Sequence, residues 1–209
     1  PPRSTLFPYT TLFRSIFDRE KDEWAGKSNW VELGPNNWVA EDRQMATFSP
    51  QAPVNFKKTS GNNWFADFGK AAFATLDLEI TAESENESVT VFLGERKNDD
   101  QSVNKNPGVS NIGFFQSEIK LKKGTHPYQV EIPRHDARYP HSQKMAPFYP
   151  EVLPFRYVEL NATSGVTVKS LTRQALFYLF DDHQSSFGST SENLNKVWDL
   201  CKYTLKATP

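Results

Sequence analysis

Between Ala46 and about Phe180 the chain is cut into short apolar runs by turn clusters, and the runs alternate with a period of two. Leu76, Leu78 and Ile80 alternate with Asp77 and Glu79; Val89, Val91 and Leu93 alternate with Thr90 and Phe92. Ile119 and Leu121 precede a Lys-Lys-Gly turn at 122–124, and Tyr128, Val130 and Ile132 follow it. Successive side chains of a strand point to opposite faces, so each run predicts a strand with one buried face. The turns are explicit in their chemistry: SGNN at 60–63, ESENES at 83–88, KNDD at 97–100, KKGT at 122–125 and TSG at 163–165. Short strands at regular turn spacing predict an antiparallel sandwich, not alternating βαβ units with a parallel sheet. The fold class is mainly β.

Two stretches depart from this rhythm. Residues 16–45 are polar and turn-rich, with Trp24, Trp30 and Trp38 among Asn, Gly and charge, and read as a segment packing against the sandwich. Residues 133–154 carry five prolines and cannot run as a central strand. Loops of that length are usually functional or lie over a neighbouring domain. Phe155–Leu160 and Val166–Phe180 resume the strand pattern.

From residue 181 a linker, DDHQSSFGS, leads into a different periodicity. Leu194, Val197, Trp198, Cys201 and Leu205 fall at i, i+3, i+4, i+7 and i+11, the spacing of one apolar helix face. Ser189 and Glu192 are placed to form a capping box, which starts the helix near Thr190. A single amphipathic helix after a β-rich stretch reads as the entrance to a helical domain.

The wording of this helix, LNKVWDLCKYTLKAT, with LPFRYVEL and FDDHQSSFGSTSENLN before it, closely resembles the bacterial α-L-rhamnosidases of glycoside hydrolase family 78. The resemblance continues upstream through WFADFGKAAFATLDLEI and VTVFLGERK to about Met45. It implies an N-terminal jelly-roll-like β-sandwich over 46–180, then at 181–209 a linker and the first helix of a catalytic (α/α)6 barrel. In that family an acidic motif of the type DGDRER follows shortly after the KAT segment. Pro209 stands before it, at a position where the family usually has Ser, so the resemblance carries no catalytic residue onto this chain.

Thr5 to Ser15 read TLFPYTTLFRS, which matches one reading frame of a common sequencing-adapter oligonucleotide codon by codon. The segment has Pro8 inside it, lacks a continuous apolar core and shows no small-residue cleavage site. Residues 1–15 are therefore expected to be an artefact and carry no weight in the fold.

Charge excludes some partners. With 24 basic and 25 acidic residues the formal net charge is −1, against the basic excess that a nucleic-acid or anionic-membrane surface requires. No run approaches the ~18 apolar residues of a membrane span. Cys201 has no partner for an internal disulfide. His126, His135, His141 and His183 show no metal-ligand spacing, so neither metal nor cofactor is expected.

Other constellations read as ordinary structure. Glycoside hydrolysis requires two positioned carboxylates, but Asp77 and Glu79 lie on the outward side of a strand, and Glu83, Glu85 and Glu87 crowd a turn. Asp182, His183, Ser185 and Ser186 contain the groups of a hydrolase triad, but as neighbours in a linker they lack a scaffold to orient them. Gly94 follows a strand without the context of a nucleotide loop. The sequons at Asn86 and Asn161 read as turns, and Trp64 as a core or sheet-edge ring and not a sugar platform.

Two functional readings remain. The first is the non-catalytic sandwich of an α-L-rhamnosidase. By resemblance, the intact enzyme removes terminal α-linked rhamnose from plant polysaccharides or glycosides with inversion, in the periplasm or outside the cell. The second is a stand-alone carbohydrate-binding sandwich without hydrolase activity. In either case the exposed helix stripe is expected to invite self-association.

Overall fold

A computed structural model describes residues 30–34, 37–40, 46–108, 112–133, 150–178 and 181–208, the first two stretches as backbone only. The chain divides into two compact units, one of residues 1–44 with 139–149 and one of 45–138 with 150–209. The segment 1–15, most of 16–45 and most of the proline-rich loop lie outside the described residues. In the first unit, β1 (Trp30–Gly34) and β2 (Asn37–Ala40) form an antiparallel hairpin whose register shifts between Glu32 and Gly34. Within the segment 16–45, which the sequence marks only as polar and turn-rich, WVEL and NWVA are short β-prone runs flanking a Gly-Pro-Asn turn signal.

The second unit holds β3 (Thr47–Gln51), β4 (Asn55–Lys58), β5 (Asn63–Ala82), β6 (Ser88–Gly94) and β7 (Phe114–Lys120). They are followed by β8 (Gly124–Gln129), β9 (Leu153–Ala162), β10 (Val166–Phe177) and the helix α1 (Glu192–Ala207). All eight strands join one antiparallel hydrogen-bonded network in the order β3-β10-β5-β9-β6-β7, with β4 and β8 also paired to β5.

The strand β5 is long enough to serve two wings. Residues 63–67 pair with β4 on one edge and β9 on the other, whereas residues 77–82 pair with β10 and β8. Between them the register against β9 slips from Asp67 to Ala72, a bulge. Gly69 sits there at φ +79°, a conformation side chains rarely tolerate, and its N–H donates to Asp67 Oδ1 at 2.7 Å. The bulge bends the strand without changing its phase. Trp64, Ala66 and Phe68 before it, and Ala72 to Ala82 at every second position after it, all enter one core cluster. Val89, Val91, Leu93, Phe155, Val158 and Leu160 reach that core from one wing, and Val166, Val168, Leu171 and Ala175 from the other. Side chains of two wings meeting in one core make a sandwich. Fully burying a side chain such as Leu76 or Ile80 contributes about 1.5–3 kcal/mol.

The connections confirm the folding-over. The Lys122–Gly124 turn does not close a hairpin: β7 is an edge of one wing, and β8 pairs with β5 in the other. The proline in β8, Pro127, and that in β3, Pro50, lie in strands with a single partner, where a missing N–H is tolerated. One strand departs from its one-faced reading. In β6 Phe92 is also buried, in a second cluster with Phe65, Val103 and Tyr157 on the outer side of the sheet. The segment from Glu95 to Pro107 covers that side, so β6 is sandwiched on both faces.

Candidate functional site

A buried set of polar contacts in the second unit lies where the β5 bulge meets Arg173 of β10, β9 and the helix. Arg173 is 1% exposed and lies on the core-facing side of β10. Its Nε and Nη2 donate to Gln51 Oε1, and its Nη1 donates to the Lys70 carbonyl at 2.9 Å and the Phe155 carbonyl at 2.8 Å. The guanidinium lies 4.5 Å from the Phe68 ring centre and 5.8 Å from that of Phe155. A buried cation without a carboxylate in contact is costly unless its donors are satisfied; carbonyls, an amide and two ring faces do so here. Burial pulls Arg173 below the usual arginine range, and the Tyr203 hydroxyl opposes that shift.

The helix joins the same place. Tyr203 donates its hydroxyl to the Ala71 carbonyl at 2.8 Å, packs edge-on against Phe177 and lies under the Lys70 ammonium, 4.6 Å from its ring centre. Burial raises the Tyr203 pKa above the usual phenol value, and Arg173 opposes the rise. The Tyr178 N–H donates to the Lys206 carbonyl at 2.9 Å. In the linker, Asp182 receives Lys206, with Lys202 at 3.5 Å. Their ammonium groups, Lys206 first, hold the Asp182 carboxyl below its ordinary range.

The helix start differs from expectation. The capping box of Ser189 and Glu192 does not form: Ser191 is the N-cap, without a side-chain cap bond, and Glu192 pairs with Lys196 at 2.7 Å. Asn195 replaces it, accepting from the Ser189 N–H and donating to the Ser189 carbonyl, both at 2.9 Å. One amide supplies both donor and acceptor, which two separate side chains would otherwise have to share.

A second polar set holds the loop over β6. Glu159, 8% exposed, accepts from the Val103 N–H at 2.9 Å and from Lys105 Nζ at 3.1 Å. The Lys105 ammonium also lies 3.7 Å from the Phe92 ring centre. Neither Glu159 nor Arg173 was marked by sequence pattern: Arg173 shares the inward parity of Leu171 and Ala175, whereas Glu159, opposite Phe92, lies on the outer side of the sheet and is buried by the loop that carries Val103.

The residues singled out from sequence are scattered. The two oxygens of Asp77 are taken by the amides of Gln129 at 3.1 Å and Gln174 at 2.8 Å, while Glu79 and Glu85 are exposed. Glu87 accepts the Glu83 N–H and stays in its turn. Asp182 is occupied by lysines, Ser185 and Ser186 are exposed, and His183 contributes its backbone N–H to Asp181. No triad is assembled. Gly94 has a packing role, because a Cβ there would lie 2.6 Å from Val103 Cγ1. Asn86 lies in a turn, but Asn161 lies in β9, which corrects its reading as a turn residue. Trp64 is 7% exposed and in the core. His126 binds the Lys123 carbonyl, and His135 and His141 fall outside the described residues. Among the described residues no three His, Cys, Asp or Glu are grouped to hold a metal, and no helix is long and apolar enough to cross a membrane.

No family model matches the chain, and no curated protein matches it in sequence. Solved structures do. An alpha-L-rhamnosidase from Dictyoglumus thermophilum aligns with a TM-score of 0.50 and 15% identity, over 72% of this chain and 15% of that one. A rhamnosidase from Klebsiella oxytoca with rhamnose bound aligns with a TM-score of 0.56 and 9% identity, over 79% of this chain and 36% of that one. At these identities the likeness is one of fold, and it agrees with the resemblance carried by the helix wording: this chain folds as a part of two rhamnosidases folds.

Proposed function

We propose that this chain is the non-catalytic sandwich portion of an α-L-rhamnosidase, supporting a catalytic domain that removes terminal α-L-rhamnosyl residues from plant polysaccharides or glycosides outside the cytoplasm. The observation that carries this reading is the pairing of two independent signals: the helix wording and a fold shared with two rhamnosidases. In that setting the Arg173–Tyr203 junction has a mechanical role, fixing the angle at which α1 leaves the sandwich.

Hydrolysis with inversion needs an acid to protonate the leaving oxygen and a carboxylate to activate water, about 6.5–9.5 Å apart. Among the described residues, the partly buried acids Glu159 and Asp67 are already engaged, Glu159 with Lys105 and Val103, and Asp67 with Arg156. On this reading the proton transfer belongs to residues of the supported domain. The binding-module reading is weakened by Trp64, whose ring is spent in the core.

Two measurements test the proposal together. The coding DNA beyond Pro209 should continue in frame into an acidic motif of the DGDRER type, and the longer product should cleave an aryl α-L-rhamnoside while the 209-residue chain does not. A stop codon there, with micromolar binding of rhamnose-containing oligosaccharides by the 209-residue chain, would replace the proposal by the binding-module reading.

A further inference from the structure

The β5 residues from Phe68 to Ala71 have no register partner in β4, β8, β9 or β10. Backbone groups in such a stretch draw on side chains, and here the side chains come from two separate parts of the unit. On the outer side of the sheet, the Gly69 N–H donates to Asp67 Oδ1 at 2.7 Å, and the same oxygen receives Arg156 Nε at 2.7 Å. Toward the helix, the Lys70 carbonyl accepts from Arg173 at 2.9 Å, and the Ala71 carbonyl accepts the Tyr203 hydroxyl at 2.8 Å. The Lys70 ammonium lies over the Tyr203 ring.

We propose that this bulge couples the two ends: one bulge geometry favours both the docking of α1 at Ala71 and the Asp67–Arg156 pair on the outer face, so that losing either contact weakens the other. The relay from Asp67 to Ala71 is short, and a direct hydrogen bond ties each of its ends to a different element. Gly69 at φ +79° narrows the ways in which the bulge can be built, because the carbonyls of Lys70 and Ala71 follow from the turn that Gly69 makes. Each end keeps a second tie when the first is cut, Arg173 on Lys70 and Gly69 on Asp67. A single substitution therefore loosens the bulge without unfolding it.

Such coupling is reciprocal. A group that draws Arg156 away from Asp67 loosens the helix, and a shift of α1 is felt at Asp67 by the same factor. The coupling rests on contacts within the sandwich and its helix, and it holds under either functional reading. One hydrogen bond at each end sets its size: a local opening equilibrium should change on the order of 2–5-fold at the far end.

Amide exchange in the 209-residue chain reads both ends. The Gly69 N–H, held by Asp67, reports the outer end, and the Tyr178 N–H, held by the Lys206 carbonyl, reports the docked helix. Arg156→Gln leaves Ala71 and Tyr203 unaltered and should speed exchange at Tyr178. Tyr203→Phe leaves Asp67 and Arg156 unaltered and should speed exchange at Gly69. Leu76, in the same strand and fully buried, should keep its rate in both variants, which separates coupling from a general loss of stability. Lys105→Ala breaks the outer-face pair with Glu159, which makes no contact with the bulge, and should leave Tyr178 unchanged. An unchanged Tyr178 rate in Arg156→Gln, an unchanged Gly69 rate in Tyr203→Phe, equal acceleration at Leu76, or an equal effect of Lys105→Ala on Tyr178 would each overturn the proposal.

Discussion

Asp67 and Arg156 face each other across β5 and β9 in a two-pronged ion pair, Nε to Oδ1 at 2.7 Å and Nη2 to Oδ2 at 2.9 Å. The Arg156 hydrogen bonds hold the Asp67 carboxyl below its ordinary range, with a further contribution from the Gly69 N–H. The folded pKa lies below the unfolded one, so the stabilisation is present above about pH 4 and is lost as pH falls through the folded value. Both side chains are partly exposed, and the pair is worth about 1 kcal/mol or less after screening. Asp67→Asn should lower the unfolding midpoint at pH 7, and the gap to the unaltered protein should narrow as pH is taken below the ordinary carboxylate range. A gap that persists unchanged into acid would show that the bulge geometry, not the charge, carries the effect.

Gly94 should not accept a side chain. Its would-be Cβ lies 2.6 Å from Val103 Cγ1, and Val103 is fully buried. Overpacking of this kind costs about 1–3 kcal/mol. Gly94→Ala should destabilise by that amount in urea, and adding Val103→Ala should recover part of the loss by vacating the space. A neutral Gly94→Ala would mean that the loop over β6 is free to lift away.

Replacing Arg173 by Ala leaves Gln51 Oε1 and the Lys70 and Phe155 carbonyls without their donor and opens a cavity between Phe68 and Phe155. Combined, these effects should cost about 3 kcal/mol or more. Arg173→Lys should rescue little, because an ammonium cannot present the planar fork that reaches Gln51 and two carbonyls together. Urea unfolding of the three proteins checks both statements.

Tyr203→Phe removes one hydrogen bond, to the Ala71 carbonyl, while retaining a ring against Phe177 and beneath Lys70. The loss should be about 1 kcal/mol and local. Amide exchange in the last turns of α1 should speed up, while amides of β5 around Leu76 stay as protected as before.

The strands of the core were legible because alternation is a local signal. Leu76, Leu78 and Ile80 announce an inward face before any partner is known, and all three are buried. Phe92 was misread because its partners, Phe65, Val103 and Tyr157, come from distant parts of the chain and cover the side the pattern assigned to solvent. Arg173 and Glu159 escaped notice for a related reason: their partners lie up to 122 residues away, as with Gln51. At the helix start the pattern Ser189–Glu192 had a local competitor in Asn195, and the amide won. The apolar stripe of α1 was read correctly as a stripe, but nothing local shows which face meets the sandwich. That is decided by Tyr203 and by Asp182 across the linker.

The strand β5 is shared by both wings, and this constrains how the domain comes apart and reassembles. Neither wing can lose its hydrogen bonds to β5 without exposing the core of the other, so the second unit should melt as one cooperative transition with no half-sandwich intermediate. Reassembly faces the reverse problem. The pairing of β3 with β10 joins residues more than a hundred positions apart, and β5 cannot be completed on both edges until β8, β9 and β10 have arrived. Closing such long loops before any contact rewards them makes refolding slow, on the order of milliseconds to seconds, set by the architecture of one strand.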